Sequence, residues 1–305
     1  MFMPMSLDTM KALYENEIVY RPPIEASSIL IDVSSGCKWS HCTFCRESVS
    51  PRYRVSDLDT VMRKVDILAG LPGIEDHPNA FLLGEDVLAL DMDYLVPLLK
   101  HIHQTMPWVQ KVSMYGCGRE VLQKGEANLL RLKALGLGDL YIGVESGCDA
   151  VLKNVCKGAS TKSLKLCFDL LDQVGIPYCL SSIIGLGGKE RSVAHAVDTA
   201  AFYNTIHPKS IRIMTLTPVK GTKLYEQVEK GEFTELSPYE VLLEERLFLE
   251  KLNVENCLLI GTHISNNVPI LGYLPREKER LLEEMDREIF DHAPEEWRKR
   301  DFENM

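Results

Sequence analysis

The sequence lacks several features that mark membrane, secreted and nucleic-acid-binding proteins. No stretch reaches the about 18 consecutive apolar residues that a membrane-spanning helix needs. Residues 1–5 lack the basic flank and the continuous apolar core of a secretory signal peptide. Lysine and arginine form no long run and the formal net charge is −10, so a nucleic-acid partner held by electrostatic attraction is disfavoured. These absences favour a cytoplasmic protein with no membrane partner.

Internal repeats and low-complexity segments are absent as well. The 305 residues, of which 45% are hydrophobic, suffice for one large α/β domain or for one domain with an appendage. Nine cysteines without a secretory signal indicate a reducing compartment in which thiols stay free. Six of these cysteines form no C-x2-C pair, so a second metal cluster is disfavoured; they lie at positions 117, 148, 156, 167, 179 and 257.

The other three cysteines form the most informative stretch of the chain. Cys37, Cys42 and Cys45 follow directly after residues 28–33, an apolar run that predicts a buried strand. Because thiolates this close together repel one another, the spacing indicates a metal ion or an iron–sulfur cluster between them. Three thiolates are one fewer than the usual four, which leaves one iron of a cluster open to a substrate. The alternative is a zinc knuckle completed by a distant histidine or cysteine.

Strand-like and helix-like stretches alternate from Ser28 onward. The predicted strands are residues 28–33, 80–83, 110–114, 139–144, 177–184 and 210–214. The predicted helices between them are residues 56–69, 91–104, 120–135, 161–174 and 190–204, the first with Ser56 or Asp57 as its N-cap. Six such units favour a parallel sheet with right-handed crossovers, either doubly wound or curved into an open barrel.

The pattern changes on either side of this region. Residues 1–26 are predicted to be an N-terminal extension, and residues 27–218 form the α/β domain. Residues 219–305 are predicted to be a mostly helical C-terminal extension that closes the open side of a barrel or shapes a substrate pocket. Its predicted helices are residues 223–230, 237–252 and 275–290, with an extended segment at 256–264.

Glycine-rich and polar motifs follow the strands, at the end where parallel α/β folds place their sites. They include Gly84-Glu85-Asp86, Gly143-Val144-Glu145-Ser146-Gly147 and the turn Gly185-Leu186-Gly187-Gly188. Each motif also has a structural explanation. The acidic turn is compatible with a solvated loop, Ser146 with a helix N-cap, and Arg212 with a surface arginine. The polar cluster around His263 is compatible with a turn held by its own asparagine side chains.

The cysteine loop resembles that of the radical S-adenosylmethionine (SAM) superfamily, with Phe44 as the aromatic residue before the last cysteine. The familiar spacing is C-x3-C-x2-C, and this chain has C-x4-C-x2-C. The extra residue places His41 at the usual second position; we favour Cys42 as the ligand, because a soft thiolate suits an iron–sulfur cluster better than imidazole does. The turn at Glu145 resembles that of the branch with tRNA methylthiotransferases and oxygen-independent coproporphyrinogen oxidases. The resemblance covers about residues 28–225.

This resemblance implies a partial (β/α)6 parallel barrel and two cofactors, a [4Fe–4S] cluster and SAM. Cys37, Cys42 and Cys45 would bind the cluster, and SAM would bind its open iron. Reductive cleavage of SAM would give a 5′-deoxyadenosyl radical that abstracts hydrogen from a substrate. The implied SAM-binding residues are Phe44, Gly84, Glu85, Asp86, Glu145, Ser146, Gly185, Gly187, Gly188, Arg212 and Thr215.

The acidic composition and the short C-terminal extension favour a small molecule or a peptide as substrate. A flavodoxin- or ferredoxin-type protein is the expected electron donor. Methylthiolation of tRNA is disfavoured because the chain shows no added RNA-binding barrel. Two other classes stay open: a non-catalytic metal- or cluster-binding interaction protein, and a nucleotide-binding enzyme that uses the glycine-rich turn.

Overall fold

The computed structural model describes residues 13–14, 21–49 and 53–298. Most of the predicted N-terminal extension therefore lies outside the described residues. The chain divides into two compact units. The first unit comprises Met1–Ser40, Pro51–Tyr141 and Leu170–Pro177, and the second comprises His41–Ser50, Ile142–Asp169 and Tyr178–Met305. The domain boundaries drawn from the sequence at residues 26 and 218 stay predictions.

Eight strands form one mostly parallel sheet and follow one another in chain order. They are β1 (Ile29–Asp32), β4 (Asn79–Leu83), β5 (Lys111–Gly116), β6 (Leu137–Glu145), β7 (Tyr178–Ile184), β8 (Ser210–Thr215), β9 (Cys257–Ile260) and β10 (Leu271–Leu274). Two short strands, β2 (Ser34–Ser35) and β3 (Arg54–Val55), pair with each other in a separate antiparallel ribbon. The predicted α/β class with a parallel sheet is thereby confirmed.

Within the eight-stranded sheet, the pairs inside each unit are parallel except for the one at the sheet edge. In the first unit β1 pairs with β4 and β4 with β5. In the second unit β7 pairs with β8 and β8 with β9, whereas β10 joins β9 in antiparallel direction. The sequence did not predict β10, because it has only four residues that alternate between exposed and buried. The C-terminal extension thus adds two strands to the sheet as well as helices.

Nine α-helices are assigned in the described part of the chain. They are α1 (Leu58–Ala69), α2 (Met92–Thr105), α3 (Gly118–Ala134), α4 (Asp149–Asn154), α5 (Thr161–Val174), α6 (Gly188–Tyr203), α7 (Lys223–Glu229), α8 (Pro238–Lys251) and α9 (Lys278–Asp291). Asp57 is the N-cap of α1, since its carboxylate accepts the backbone N–H of Thr60 at 3.1 Å. None of the helices in the described residues is both long and apolar enough to cross a membrane.

A buried ion pair connects α1 to the sheet in the first unit. Lys64 on α1 lies 3.2 Å from the carboxylate of Asp32 at the end of β1, and both side chains are almost fully buried. A buried charge is costly unless it is paired, so each of these two groups requires the other. The pair fixes α1 against the strand that leads into the cysteine loop.

Three titratable side chains are buried in the second unit, where α6 and α8 pack together. His195 lies on α6, and Glu244 and Glu245 lie on α8; each is at most 2% exposed. The Nδ1 atom of His195 is 2.8 Å from Oε1 of Glu244. Burial and the neighbouring charge of Glu244 raise the pKa of Glu245 to about 8. Glu245 is therefore mostly neutral at pH 7 and needs no cation beside it.

The raised pKa of Glu245 predicts a specific pH dependence of stability. In the folded state this carboxyl holds its proton up to about pH 8, whereas the unfolded chain loses it near its ordinary pKa of 4.5. The unfolded state therefore binds fewer protons between these two values, and Glu245 lowers the free energy of unfolding as the pH rises. We expect the free energy of unfolding of E245Q, relative to the wild type, to rise by about 1–3 kcal/mol over this range.

Urea unfolding of both proteins between pH 5 and 9 measures this difference. Glu250 lies on the same helix but is exposed, so E250Q is the matched control. Solvent screens an exposed carboxylate, and the stability of E250Q relative to the wild type should therefore vary little with pH. A stability difference between E245Q and the wild type that stays constant from pH 5 to 8 would contradict the prediction.

Candidate active site

The first part of the cysteine loop lies in the first unit and is shaped by two residues with positive φ. Gly36 has φ 76° and Ser40 has φ 44°, which turns the chain sharply around Cys37. The hydroxyl of Ser40 donates to the carbonyl oxygen of Cys37 and holds this turn. Trp39 packs under the guanidinium of Arg119, which lies 3.9 Å from the centre of the indole ring.

Cys37 belongs to a small group of potential metal ligands. Its Sγ, a carboxylate oxygen of Asp86 and the Sγ of Cys117 all lie within 4.8 Å of one another. Asp86 follows β4 and Cys117 follows β5, so two neighbouring parallel strands bring these residues to the same edge. From the sequence, the position of Cys117 after a strand left open a place near the cavity and a role in metal binding, but plain packing was favoured.

The second part of the loop, Cys42 to Cys45, lies in the second unit as a tight turn. The backbone N–H of Cys45 donates to the carbonyl of Cys42 at 3.2 Å. Thr43 is held on both sides, because its N–H donates to Val155 at the end of α4 and its carbonyl accepts from Leu224 in α7. The loop is thus fixed by backbone hydrogen bonds to two helices.

Phe44 packs in an apolar cluster of the second unit. The buried members of this cluster follow β6 or lie at the end of β7, and they are Cys148, Val151, Val155, Ile183 and Leu186. Leu186 belongs to the glycine-rich turn, for which the family resemblance implies SAM binding. The structure therefore brings together two of the predicted SAM-contacting segments inside one unit.

All nine cysteines are free thiols. Burial is the main cause that raises the pKa of Cys45 to about 11. The nearby Cys42 contributes in the same direction, whereas a backbone hydrogen bond from Glu47 and the charge of Lys157 act in the opposite direction. At neutral pH this thiol stays protonated unless a cation binds it. Soft thiol donors in a fixed, partly buried turn fit iron, which would displace the thiol proton.

The acidic turn after β4 is packed tightly against β2. Gly84 has φ 143°, and a Cβ atom there would lie 2.1 Å from the hydroxyl of Ser34 and 2.9 Å from Val87. Asp86 is fully buried and accepts the backbone N–H of Cys117 at 3.2 Å. Burial raises the pKa of Asp86 to about 7, and nearby acidic groups raise it as well. The turn is a well-packed structural element and not a solvated loop.

This crowding predicts the effect of an added methyl group at Gly84. We expect G84A to lower the free energy of unfolding by about 3 kcal/mol. Alanine rarely adopts the backbone conformation of Gly84, and its Cβ atom would overlap with neighbouring atoms. Gly73 also has a positive φ, 79°, but a Cβ atom at that position would meet nothing within 4 Å. G73A should therefore lower the free energy of unfolding by only about 1 kcal/mol, as measured by urea unfolding. Equal losses in the two variants would contradict the packing described here.

Glu145 ends β6 in a left-handed conformation with φ 66°. Its carboxylate accepts from Lys157 at 3.1 Å and from the hydroxyl of Ser181 at 3.1 Å. The carboxylate folds back over Gly143, where a Cβ atom would lie 2.2 Å from Oε1. A glutamate at a strand end is costly to bury unpaired, and Lys157 supplies its counter-charge.

Ser146 is fully buried behind this turn. Its hydroxyl accepts the backbone N–H of Cys148 at 3.0 Å, and Cys148 is the N-cap of α4. The next residue, Gly147, approaches α6 closely, and its N–H donates to the hydroxyl of Thr199 at 2.9 Å. The structural explanation of Ser146 as the N-cap is therefore wrong, because Ser146 lies two residues before the N-cap and binds its backbone N–H instead. The contact of Ser146 with SAM stays a prediction.

The glycine-rich turn leads from β7 into α6. Gly185 has φ 82° and Gly188 has φ 64°, and the N–H of Gly188 donates to the carbonyl of Gly185 at 3.0 Å. A cavity of about 330 Å³ adjoins the turn, and its walls include Val151, Val155, Leu186, Gly187, Gly188 and Phe233. The lining also includes charged side chains, among them Lys189, Arg191 and Glu232. A cavity of this volume with both apolar and charged walls suits part of a small polar ligand.

At the end of β8, Thr215 is bound to the C-terminal extension. Its N–H donates to the hydroxyl of Ser265 at 2.9 Å, and its own hydroxyl donates to Asn266 at 3.0 Å. The N–H of Ser265 donates to Nδ1 of His263, so the imidazole carries its proton on Nε2. Burial and the charge of Arg212 lower the pKa of His263 to about 4. Arg212 thus lies near a neutral histidine that the extension supplies.

Three residues that contact the predicted site had no role assigned to them from the sequence: Cys117, Lys157 and Glu244. Cys117 and Lys157 lie close in sequence to predicted motifs, and their position after a strand or a helix was the available signal. Glu244 is 59 positions from its partner Gly185 and gives no local signal. An acidic pair in a helix is ordinarily part of a solvated face, and here the packing of α8 on α6 buries it instead.

Comparison with known proteins gives a consistent result. A family model described as the radical SAM superfamily matches residues 31–201. A biotin synthase from Methanococcus maripaludis strain C7 is 25% identical over 242 residues, which cover 77% of this chain and 67% of that protein. The chain spans between 61% and 67% of the length of four curated biotin synthases of that species.

Two solved structures have a similar fold. Methylornithine synthase (PylB) superposes with a TM-score of 0.53 at 16% identity, covering 88% of this chain and 84% of that one. Coproporphyrinogen III oxidase (HemN) from Escherichia coli superposes with a TM-score of 0.53 at 15% identity, covering 73% of this chain and 52% of that one. At this identity the likeness shows the fold, and it supports the partial barrel that the sequence predicted.

Proposed function

The chain belongs to the radical SAM superfamily, and from that premise we propose that it is an enzyme that generates a 5′-deoxyadenosyl radical. Cys37, Cys42 and Cys45 would hold a [4Fe–4S] cluster, with SAM on the iron that has no protein ligand. When bound, the reduced cluster supplies the electron that cleaves SAM into methionine and the radical, which abstracts a hydrogen atom from the substrate.

The chain's own residues would bind and orient SAM. We assign Gly84, Glu85 and Asp86 to its ammonium group, because an acidic turn complements that charge. We assign Arg212 and Thr215 to its carboxylate, and Glu145 and Ser146 to its methionine or ribose. Phe44 and the turn formed by Gly185, Gly187 and Gly188 would pack on the adenine and exclude water from it.

One observation supports this proposal beyond the family match. Phe44 of the cysteine loop and Leu186 of the glycine-rich turn pack in the same apolar cluster. A segment that binds the iron–sulfur cluster and a segment that binds adenine must lie close together if SAM is to reach both. The shared packing of Phe44 and Leu186 supports this arrangement, and neither a zinc-binding interaction protein nor a phosphate-binding loop requires it.

The substrate class is argued from composition and from the relatives. The acidic chain favours a small molecule or a peptide over a nucleic acid. Because the curated relatives are biotin synthases, biotin is the first product to look for in an assay. We propose that a flavodoxin- or ferredoxin-type protein delivers the electron and that the protein acts in the cytoplasm.

Reductive cleavage of SAM tests the proposed activity. Protein reconstituted anaerobically with iron and sulfide should be brown, and after reduction with dithionite it should convert SAM to 5′-deoxyadenosine. C45A should abolish this product, whereas C156A, which changes an exposed cysteine outside the loop, should retain it. A colourless protein with one tightly bound zinc ion and no 5′-deoxyadenosine would contradict the proposal.

The middle ligand of the loop can be assigned by a matched pair of variants at adjacent positions. If Cys42 is the ligand, C42A should lose most of its bound iron and sulfide after reconstitution, because two thiolates hold a cluster poorly. H41A should retain the iron content and the visible absorption of the wild type. The opposite result, with iron lost in H41A and kept in C42A, would show that the extra residue makes histidine the ligand.

A further inference from the structure

We propose that Glu244, in the C-terminal extension, is a positioning residue that holds the glycine-rich turn in the conformation that receives the adenosyl part of SAM. The inference rests on the proposed function, because it uses the assignment of that turn to adenine. It extends the site to α8, which lies beyond residues 31–201, the part of the chain that the superfamily model matches.

Glu244 contacts the glycine-rich turn directly. The backbone N–H of Gly185 donates to Oε1 of Glu244 at 2.7 Å, and both residues are buried. Gly185 is the first residue after β7 and has φ 82°, so the chain changes direction at this bond. A hydrogen bond at the point of reversal fixes where Leu186 and the rest of the turn lie.

The side chain of Glu244 is itself held in one orientation. A carboxylate can only accept hydrogen bonds, so the N–H at Nδ1 of His195 donates a hydrogen bond to Oε1 of Glu244 at 2.8 Å. The two side chains are 1% and 0% exposed. Their second polar atoms, Nε2 of His195 and Oε2 of Glu244, are buried and have no hydrogen-bond partner among the described residues.

An arrangement that leaves two buried polar atoms unsatisfied is expensive for the fold. A leucine or methionine at position 244 would remove the unsatisfied Oε2, but it would leave the N–H of Gly185 and Nδ1 of His195 without the acceptor that Glu244 supplies. We infer that the unsatisfied polar atoms are tolerated because Glu244 accepts the hydrogen bond of Gly185. Polar groups kept at the expense of stability are typical of functional positions.

The bond to Gly185 also positions residues on the side of the turn that would receive adenine. Leu186 follows Gly185 directly and packs in the apolar cluster that contains Phe44. The turn is also held from the other side, because the N–H of Lys189 donates to the carbonyl of Thr234 at 2.8 Å. Releasing Gly185 would let Leu186 leave the apolar cluster and would change the surface on which adenine packs.

The neighbouring residue provides a matched control. Glu245 is on the same helix and is as buried as Glu244, but it makes no hydrogen bond to the turn in the described structure. E245Q therefore removes a buried carboxyl without touching the turn. A difference between the variants at positions 244 and 245 reports the bond to Gly185 and not burial in general.

The test compares the affinities of E244A, E244Q, E245Q and the wild type, each as the reconstituted full chain. The probes are SAM and 5′-methylthioadenosine, which has the adenosyl part but no amino-acid end. Affinities are measured by calorimetry well below the thermal midpoint of each variant, so that all protein is folded. We expect E244A to bind 5′-methylthioadenosine about tenfold more weakly than the wild type, and SAM by a similar factor.

E244Q keeps an oxygen that can accept the hydrogen bond from Gly185 but loses the charge. We therefore expect its affinity for both probes to fall about threefold. E245Q should bind both probes like the wild type. If E244A does not fold, the comparison of E244Q with E245Q decides, because both are isosteric changes.

Unchanged affinity in E244Q and E244A, with only a lower thermal midpoint, would overturn the inference and leave Glu244 a structural residue. That outcome is distinct from failure of the proposed function, in which the wild type would bind neither probe and form no 5′-deoxyadenosine. Equal weakening in the variants at positions 244 and 245 would also overturn it, since the bond to the turn would then be irrelevant.

Discussion

Three closely spaced thiols, which we propose bind one iron–sulfur cluster together, are the feature on which the proposed chemistry depends. Cys37, Cys42 and Cys45 lie within nine residues of one another, and none of them forms a disulfide. Burial raises the pKa of Cys45 and the neighbouring Cys42 acts in the same direction, so at neutral pH this thiol becomes a thiolate only if positive charge binds it. In the proposed enzyme, the iron of the cluster would supply that charge. The backbone around Thr43 is fixed in advance by hydrogen bonds to two helices, so the protein holds the turn ready for it.

Much of the α/β architecture was predictable because it depends on local signals. Apolar runs of four to eight residues predicted the parallel strands, and helical periodicity predicted the helices between them. The positions of the glycine and acidic motifs followed from their place after strands. The strand β10 was not predictable, because a four-residue segment with alternating exposure gives little periodic signal. The C-terminal extension is therefore less purely helical than its sequence indicated.

The motifs of the site could be predicted from the sequence, but the residues that hydrogen-bond to those motifs could not. Glu145 was assigned to SAM from its turn, but its contacts with Lys157 and Ser181 depend on tertiary packing. In the same way, Glu244 gave no local signal because its partner Gly185 is distant in sequence. The side chains that position a motif come from whichever helix packs against it. A single sequence does not show which helix that is.

The C-terminal extension has a larger part in this account than a cover for the barrel. It supplies Glu244 beneath the glycine-rich turn and the segment from His263 to Asn266 beside the end of β8. Both contacts reach strand ends from outside the region that defines the superfamily. A common core would thus carry the cofactor chemistry, while the extension adapts the same strand ends to one substrate.

The central claim is that one iron has no protein ligand and receives SAM. Electron–nuclear double resonance on the anaerobically reduced protein, with SAM that carries ¹⁵N at its amino group, tests this directly. The account predicts a ¹⁵N coupling to the iron–sulfur cluster that vanishes when unlabelled SAM is used. A cluster signal that SAM leaves unchanged and that shows no ¹⁵N coupling would contradict it.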